Sequence, residues 1–166
     1  MLGVVGVIDR ALATILKPVV ALGMVALIFV ITAQIVSRVF FTAFGWTEEV
    51  ARFLLIWLTF LGAALAWQQG RHIAVKVLVE RLRPGLRRGV QMAALAVVCG
   101  FGLALAWLGW SFMDVSAFQR SPSLRLPMAY VYVVIPVAAG LIAWFSLTDL
   151  LRLVLGQRTG AQESDS

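Results

Sequence analysis

Four long apolar stretches dominate this chain. They cover about residues 19–36, 48–67, 90–112 and 128–148. Each has the ~20 residues that an α-helix needs to cross ~30 Å of hydrocarbon. Hydrophobic residues make up 61% of the 166 residues and charged residues only 13%, so a soluble domain of this length would have too few polar residues to cover its surface. The sequence therefore predicts an all-α integral membrane protein with four spanning helices.

The four stretches form one predicted membrane domain, residues 1–155, followed by a polar tail, residues 156–166. The segment before the first span is mildly amphipathic, since Asp9, Arg10 and Lys17 interrupt its apolar residues. A signal peptide carries its positive charge before its apolar region and is followed by small residues at a cleavage site. A retained, partly interfacial lead-in is therefore favoured over a cleaved signal. Pro136 lies inside the fourth span and predicts a kink there.

The segment between the second and third spans is rich in cations. Read as a helix, residues 71–82 place their apolar residues on one side and their charges on another. This pattern predicts an interfacial amphipathic helix stopped by Pro84-Gly85, with a short strand over residues 73–79 as the alternative. Its basic residues are predicted to contact lipid headgroups. They are Arg71, Lys76, Arg81, Arg83, Arg87 and Arg88.

Basic residues are unequally shared between the two sides of the predicted membrane. With four spans, both termini and the basic segment lie on one side, which holds most of the lysines and arginines. Cytoplasmic loops carry the excess of basic residues, so both termini and His72 are predicted to be cytoplasmic. The mouth of the second span then faces outward. The net charge of +6 is attributed to anionic lipid headgroups, and nucleic acid is not expected as a partner.

The second span carries charges where it begins. Thr47 is the predicted N-cap, which puts Glu48 and Glu49 in the first turn, where carboxylates favour the positive end of the helix dipole. Arg52 follows them by four and three residues, so either carboxylate can reach it. Adjacent residues on a helix point about 100° apart, so the two acids cannot form a facing metal or acid–base pair. Ion pairing with Arg52 or with a neighbouring subunit is the prediction.

Small residues recur every four positions in the third span, at Ala96, Gly100 and Ala104. Such a face lets another helix approach closely in a membrane. The sequence leaves open whether that helix belongs to this chain or to a partner.

The chain offers few groups for chemistry. The interiors of the predicted spans contain no Asp, Glu, Lys, Arg or His except Arg52. Ion-coupled carriers usually place ionisable groups or broken helices near the midplane, so this chain is not expected to conduct a charged solute alone. His72 is the only histidine and Cys99 the only cysteine. No metal, cofactor or enzymatic activity is therefore predicted.

Several motifs together resemble a known family. They are Trp46-Thr-Glu-Glu-Val-Ala-Arg52, Trp57, Phe60-Leu-Gly62-Ala-Ala, Gly70-Arg-His72-Ile and Ser121-Pro-Ser-Leu-Arg-Leu-Pro127. In this order they resemble the small membrane subunit of tripartite ATP-independent periplasmic (TRAP) transporters, the DctQ-type permease. The resemblance implies a four-span scaffold subunit of the bacterial or archaeal cytoplasmic membrane.

The resemblance also implies partners. A large permease subunit would carry the sodium and substrate sites, and a periplasmic binding protein would deliver the solute, usually an organic acid. In some relatives the small domain is fused to the large subunit. Here the polar tail ends the chain, so the large subunit is expected to be a separate chain.

Six positions match the family's motif and are assigned to structure or subunit contact. They are Glu48, Glu49, Arg52, Trp57, Gly62 and His72. Arg125 departs from the pattern, because a small residue is expected in Leu-x-Leu-Pro. The solute cannot be named from this sequence.

Two other functions remain as alternatives. A self-sufficient homodimeric exporter would need an acid at the membrane midplane, and the membrane anchor of a redox complex would need haem ligands.

Overall fold

The computed structural model describes residues 2–40, 45–70 and 84–154, which contain five helices. The helices are α1 (Leu2–Phe40), α2 (Gly45–Gly70), α3 (Pro84–Ser116), the single turn α4 (Ala129–Tyr132) and α5 (Val134–Val154). Four segments are long and apolar enough to cross a membrane: Gly6–Phe40, Gly45–Gln69, Arg88–Ser116 and Ala129–Val154. The predicted all-α, four-span membrane class is confirmed.

Helix α5 is the central element. The most extensive contacts between helices join α1 to α2, α2 to α5, and α5 to α3. Half of the most apolar window of the fourth span is buried inside the molecule, whereas none of the corresponding window of α1 is. Large side chains of α1 such as Phe29 therefore point outward. Because the chain spans a membrane, these exposed faces are available to lipid or to another membrane protein.

Two glycines let α3 approach α5 closely. A Cβ on Gly102 would lie 3.1 Å from the backbone oxygen of Ala139, and one on Gly109 would lie 3.0 Å from Cγ2 of Ile135. Close approach maximises dispersion contacts, which drive helix packing where lipid supplies no hydrophobic gain. The contact within this chain therefore uses Gly102 and Gly109.

The segment before the first predicted span continues the first helix. Helix α1 is continuous from Leu2, with Pro18 inside it. Asp9, Ala13 and Leu16 are buried, at the i, i+4, i+7 spacing of one helix face. The expectation of a partly interfacial lead-in is therefore wrong for this face, because it packs against other helices of the chain.

The fourth span is interrupted near Pro136, where the sequence predicts a kink. Helix α4 ends at Tyr132 and α5 begins at Val134. Proline has no amide hydrogen to donate to the carbonyl four residues earlier, which is that of Tyr132. The interruption is mild, since Val133 has right-handed helical angles and its carbonyl still accepts a hydrogen bond from the amide of Val137 at 3.3 Å.

Helices α1, α2 and α3 are each longer than the predicted span within them. Helix α2 begins at Gly45, so Thr47 lies inside the helix and the predicted N-cap position is wrong. Helix α3 begins at Pro84, where the missing amide of proline costs nothing. The predicted amphipathic helix over residues 71–82 and the polar tail lie outside the described residues.

Candidate functional site

Glu49 joins the start of α2 to the loop between α3 and α4. This loop, residues 117–128, is called the mouth loop below. Oε2 of Glu49 accepts hydrogen bonds from the Ser121 hydroxyl at 3.0 Å and the Leu124 amide at 2.9 Å, and Oε1 accepts one from the Ser123 amide at 2.9 Å. Glu49 is only 6% exposed. A buried carboxylate is tolerated when several donors satisfy it, so Glu49 fixes the position of the mouth loop.

The mouth loop is also closed by its own backbone. The Ser121 amide donates to the Leu126 carbonyl at 3.0 Å, and the Met128 amide donates to the Gln119 carbonyl at 2.9 Å. The Arg125 amide donates to the Ser121 carbonyl at 3.1 Å. These bonds make a tight turn whose tip carries an exposed arginine.

Arg125 has φ of +52°, in the left-handed region that favours glycine. An L-residue with a side chain pays about 1–2 kcal/mol there. This geometry gives a physical reason for the expectation of a small residue at this position. The arginine instead places a cation at the loop tip.

Glu48, and not Glu49, pairs with Arg52. Oε1 of Glu48 and Nη2 of Arg52 are 3.4 Å apart, and both side chains are more than half exposed. An exposed helix pair of this kind contributes about 0.3–0.5 kcal/mol. The predicted pairing with Arg52 is therefore confirmed for Glu48, whereas the carboxylate of Glu49 is bonded to the mouth loop and senses Arg52 only as a nearby charge. The Glu48–Arg52 pair does little to hold the fold together.

These two charges lie on an open stripe of α2. Along the helix, positions 48, 52, 55, 59 and 62 fall on one face. Glu48, Arg52, Leu55 and Thr59 are exposed. A Cβ added to Gly62 would meet nothing within 4 Å. This set, Glu48, Arg52, Leu55, Thr59 and Gly62, is called the α2 stripe below.

Trp57 lies on a different face of α2, where it lines an apolar groove. The groove has a volume of about 320 Å³. Its walls are Val19 and Gly23 of α1, residues of α2 from Val50 to Leu61, and Leu124 and Leu126 of the mouth loop. Trp57 therefore shapes a cavity of its own chain. This cavity is called the α1–α2 groove below.

The small residues of α3 are left uncovered. Ala96, Gly100 and Ala104 are all exposed. A Cβ added to Gly100 would meet nothing within 4 Å. The sequence left open whether a helix of this chain or of a partner packs on this face. Among the described residues, no helix of this chain covers it.

A charged cluster, in which Asp9 and Asp149 are buried, joins the first and last described helices. Oδ2 of Asp9 is 3.1 Å from Nη2 of Arg152 and accepts a hydrogen bond from the Thr148 hydroxyl at 3.4 Å. Oδ1 accepts one from the indole of Trp144 at 3.2 Å. Asp149, which is fully buried, lies 3.9 Å from Nη1 of Arg152. These residues, called the Asp9 cluster below, connect α1 directly to α5.

The Asp9 cluster was not predicted. Asp9 is 143 residues from Arg152, and a single acid in a mildly amphipathic segment usually indicates a solvated face. The available signal was the spacing of Asp9, Ala13 and Leu16, which puts the acid on the same face as two apolar residues.

Among the predicted headgroup contacts, only Arg88 has a described side chain. It donates to the carbonyl of Leu153 at 2.8 Å and to that of Val154 at 3.2 Å. Cations at a helix C-terminus satisfy open carbonyls and favour the helix dipole. Arg88 therefore has a capping role that was not predicted. The side chains of Arg71, Lys76, Arg81, Arg83 and Arg87, and that of His72, lie outside the described residues.

The described side chains bring no catalytic constellation together. Over residues 6–40, 45–69 and 88–154, no three His, Cys, Asp or Glu side chains are placed to hold a metal ion. Cys99 is buried in α3. Glu49, Asp9, Arg152 and Arg88 make contacts between segments of this chain.

Comparison with known proteins gives a consistent result. A family model described as "Tripartite ATP-independent periplasmic transporters, DctQ component" matches residues 27–156. The chain is 34% identical over 160 residues to the isethionate TRAP transporter permease protein DctMQ of Oleidesulfovibrio alaskensis, covering 89% of this chain but only 24% of that longer protein. It is 33% identical over 101 residues to the C4-dicarboxylate TRAP transporter small permease protein DctQ of Rhodobacter capsulatus, covering 60% of this chain and 44% of that protein.

A third relative matches over nearly its whole length. The sialic acid TRAP transporter small permease protein SiaQ of Vibrio cholerae is 26% identical over 147 residues, covering 86% of this chain and 84% of that protein. Because the family model covers most of the chain, the four-span protein described above belongs to the DctQ component family of TRAP transporters, a family of transporter membrane subunits and not of enzymes.

Proposed function

We propose that this chain is the scaffold subunit of a TRAP-type secondary transporter. A separate large permease subunit carries out sodium-driven uptake of an organic acid, which a periplasmic binding protein delivers. The observation that carries this proposal is the distribution of charge. Within the four predicted spans, whose residues are all described, the only Asp, Glu, Lys, Arg or His residues are Glu48, Glu49 and Arg52, at one end of the second span. A protein of this kind can hold another membrane protein, but its described spans offer no charged side chain at the midplane to carry a charged solute.

The similarity to DctMQ supports a large membrane partner. The matched region is only 24% of that protein, so most of that permease lies outside the part that resembles this chain. A transporter that moves one domain across the bilayer needs a stationary element beside it. The exposed apolar surfaces of α1 and α3 suit a subunit that is surrounded by lipid and one such partner.

Two surfaces are proposed to contact the large subunit. One is the α2 stripe, where Glu48, Arg52 and Gly62 match the family motif. The other is the small-residue face of Ala96, Gly100 and Ala104, which admits a second helix at close range. Glu49 and Trp57 are assigned to the internal structure of this chain, and His72 stays a prediction.

The orientation and location follow the distribution of basic residues. We place both termini in the cytoplasm of a bacterial or archaeal cell and the protein in its cytoplasmic membrane. The mouth loop then faces the periplasm, where Arg120 and Arg125 lie on the side from which a binding protein approaches. The basic segment over residues 71–88 would contact anionic headgroups of the inner leaflet.

Co-purification tests the proposal. When this chain is tagged in its native membrane, a larger protein with many spans is expected in about equimolar amount. Ala104→Leu is expected to lower recovery of that protein about tenfold, because loss of close helix packing costs on the order of 1–2 kcal/mol. The matched control is Ala21→Leu, the same change at an exposed position of α1.

Recovery of the tagged chain alone, from membranes known to contain the larger protein, would contradict the scaffold function. Equal recovery with Ala104→Leu and Ala21→Leu would remove only the α3 face from the proposed interface.

A further inference from the structure

We propose that the α1–α2 groove binds one acyl chain of a phospholipid, from the leaflet nearest the mouth loop, and that Arg125 contacts the phosphate of that lipid. The site is independent of the proposed partner contacts, since it lies on a different face of α2 from the α2 stripe. Three features of the groove carry the inference: its length, its lining and the cation at its mouth.

The length of the groove matches one leaflet. Its α2 wall extends from Val50 to Leu61, and the eleven steps between these residues span about 16 Å at the helical rise of 1.5 Å per residue. A bilayer core of ~30 Å gives about 15 Å to each leaflet. An acyl chain that enters beside the mouth loop would therefore end where the groove ends.

The lining of the groove selects a hydrocarbon. Nearly all of the surface that lines the cavity is apolar, and the residues there are aliphatic, aromatic or glycine. A solute with polar groups would leave them without partners. A groove left empty would lose the dispersion contacts of its walls. The hydrocarbon available to a groove that opens into a bilayer is a lipid chain.

A close helix contact narrows the groove. At Gly23 an added Cβ would lie only 2.9 Å from Cδ2 of Leu58. Helices α1 and α2 therefore touch there, and Val19 and Leu61 line the groove farther from the mouth loop.

The mouth of the groove carries a cation. Leu124 and Leu126 both line the groove, and the exposed Arg125 lies between them. Glu49 accepts the hydrogen bond of the Leu124 amide, so this part of the loop is fixed to α2. Among the described residues, Arg125 forms no ion pair, whereas Arg52 points to another face and pairs with Glu48. A guanidinium suits a phosphate because it can donate two parallel hydrogen bonds.

Photolabelling tests the site. The full chain, with any subunit that accompanies it, is placed in phosphatidylethanolamine–phosphatidylglycerol vesicles that contain phosphatidylglycerol with a diazirine on one acyl chain. After illumination, the adducts are mapped by mass spectrometry. Adducts are expected to concentrate between Val50 and Leu61 and at Leu124 and Leu126. They should exceed those on Phe29, an exposed residue of α1 outside the groove.

Two variants separate the acyl and headgroup contacts. Val19→Trp fills the deep end of the groove and is expected to lower the adducts there at least threefold, whereas Leu22→Trp, on the exposed side of α1, leaves them unchanged. Arg125→Gln is expected to lower them about fivefold, since one basic residue near anionic headgroups contributes about that factor in binding. Arg10→Gln, at the opposite end of α1, is the matched control.

Even labelling of the groove and of Phe29 would overturn the proposal. So would the absence of lipid adducts at the groove, including the case in which a partner subunit covers it. Loss of labelling with Leu22→Trp as great as with Val19→Trp would also contradict it.

Discussion

Replacing Asp9 with alanine is expected to destabilise the protein by about 3 kcal/mol, because the guanidinium of Arg152, which is only 15% exposed, would lose its closest carboxylate. The indole of Trp144 and the hydroxyl of Thr148 would lose an acceptor in the same step. Asp9→Asn keeps an acceptor and removes the charge, so its effect should be smaller. The measurement is the fraction that stays monodisperse in detergent after heating, followed by size-exclusion chromatography.

Asp114→Ala provides the control for this prediction. Asp114 is an exposed acid near the end of α3, so its replacement should change stability by no more than about 0.5 kcal/mol. If Asp9→Ala and Asp114→Ala lose stability equally, the Asp9 cluster does not hold α1 against α5, and the assignment of a buried helix contact is wrong.

Glu49→Ala is expected to release the mouth loop from α2. The Ser123 and Leu124 amides and the Ser121 hydroxyl would each lose their carboxylate acceptor. Hydrogen bonds to charged groups contribute about 1.5–3 kcal/mol each, so the amides of residues 123 and 124 should exchange with deuterium at least ~10-fold faster. Hydrogen–deuterium exchange of the purified chain measures this directly.

Glu48→Ala is the matched control, since it removes the neighbouring carboxylate. Glu48 makes only an exposed pair with Arg52, and its loss should leave exchange in the mouth loop unchanged. Equal effects of the two substitutions would show that general charge at the start of α2, and not the contacts of Glu49, orders the loop.

The spans were predictable because the constraint that produces them is local. A helix must satisfy its own backbone across the bilayer, so hydrophobicity and length are sufficient to locate it. The interruption of the fourth span near Pro136 was predictable for the same reason, because the missing amide hydrogen of proline acts within a single helical turn. The resemblance of the motif from Trp46 to Ile73 likewise lies within one contiguous stretch.

The contacts between distant segments were not predictable in the same way. Glu48 and Glu49 are adjacent and chemically identical, but one faces outward and the other faces the mouth loop more than 70 residues away. Helix geometry establishes that they point about 100° apart, but not which one meets the loop. The contacts of Asp9 were unpredictable for the same reason, because its partners on α5 are 135 to 143 residues away in the sequence.

The small residues of α3 show a further limit of sequence patterns. Gly102 and Gly109 pack against α5, whereas Gly100 is open. All three are glycines in the same apolar helix, and their spacing alone does not say which face meets α5. That choice depends on how α5 is placed by α2 and by the Asp9 cluster.

The central claim is that this chain supports transport without carrying the solute. The most direct measurement is uptake of a radiolabelled organic acid into proteoliposomes driven by a sodium gradient, with the binding protein present. Vesicles with this chain alone should show no uptake above protein-free vesicles, and vesicles with this chain and the co-purified large subunit should accumulate the acid. Sodium-driven accumulation by this chain alone would contradict the claim.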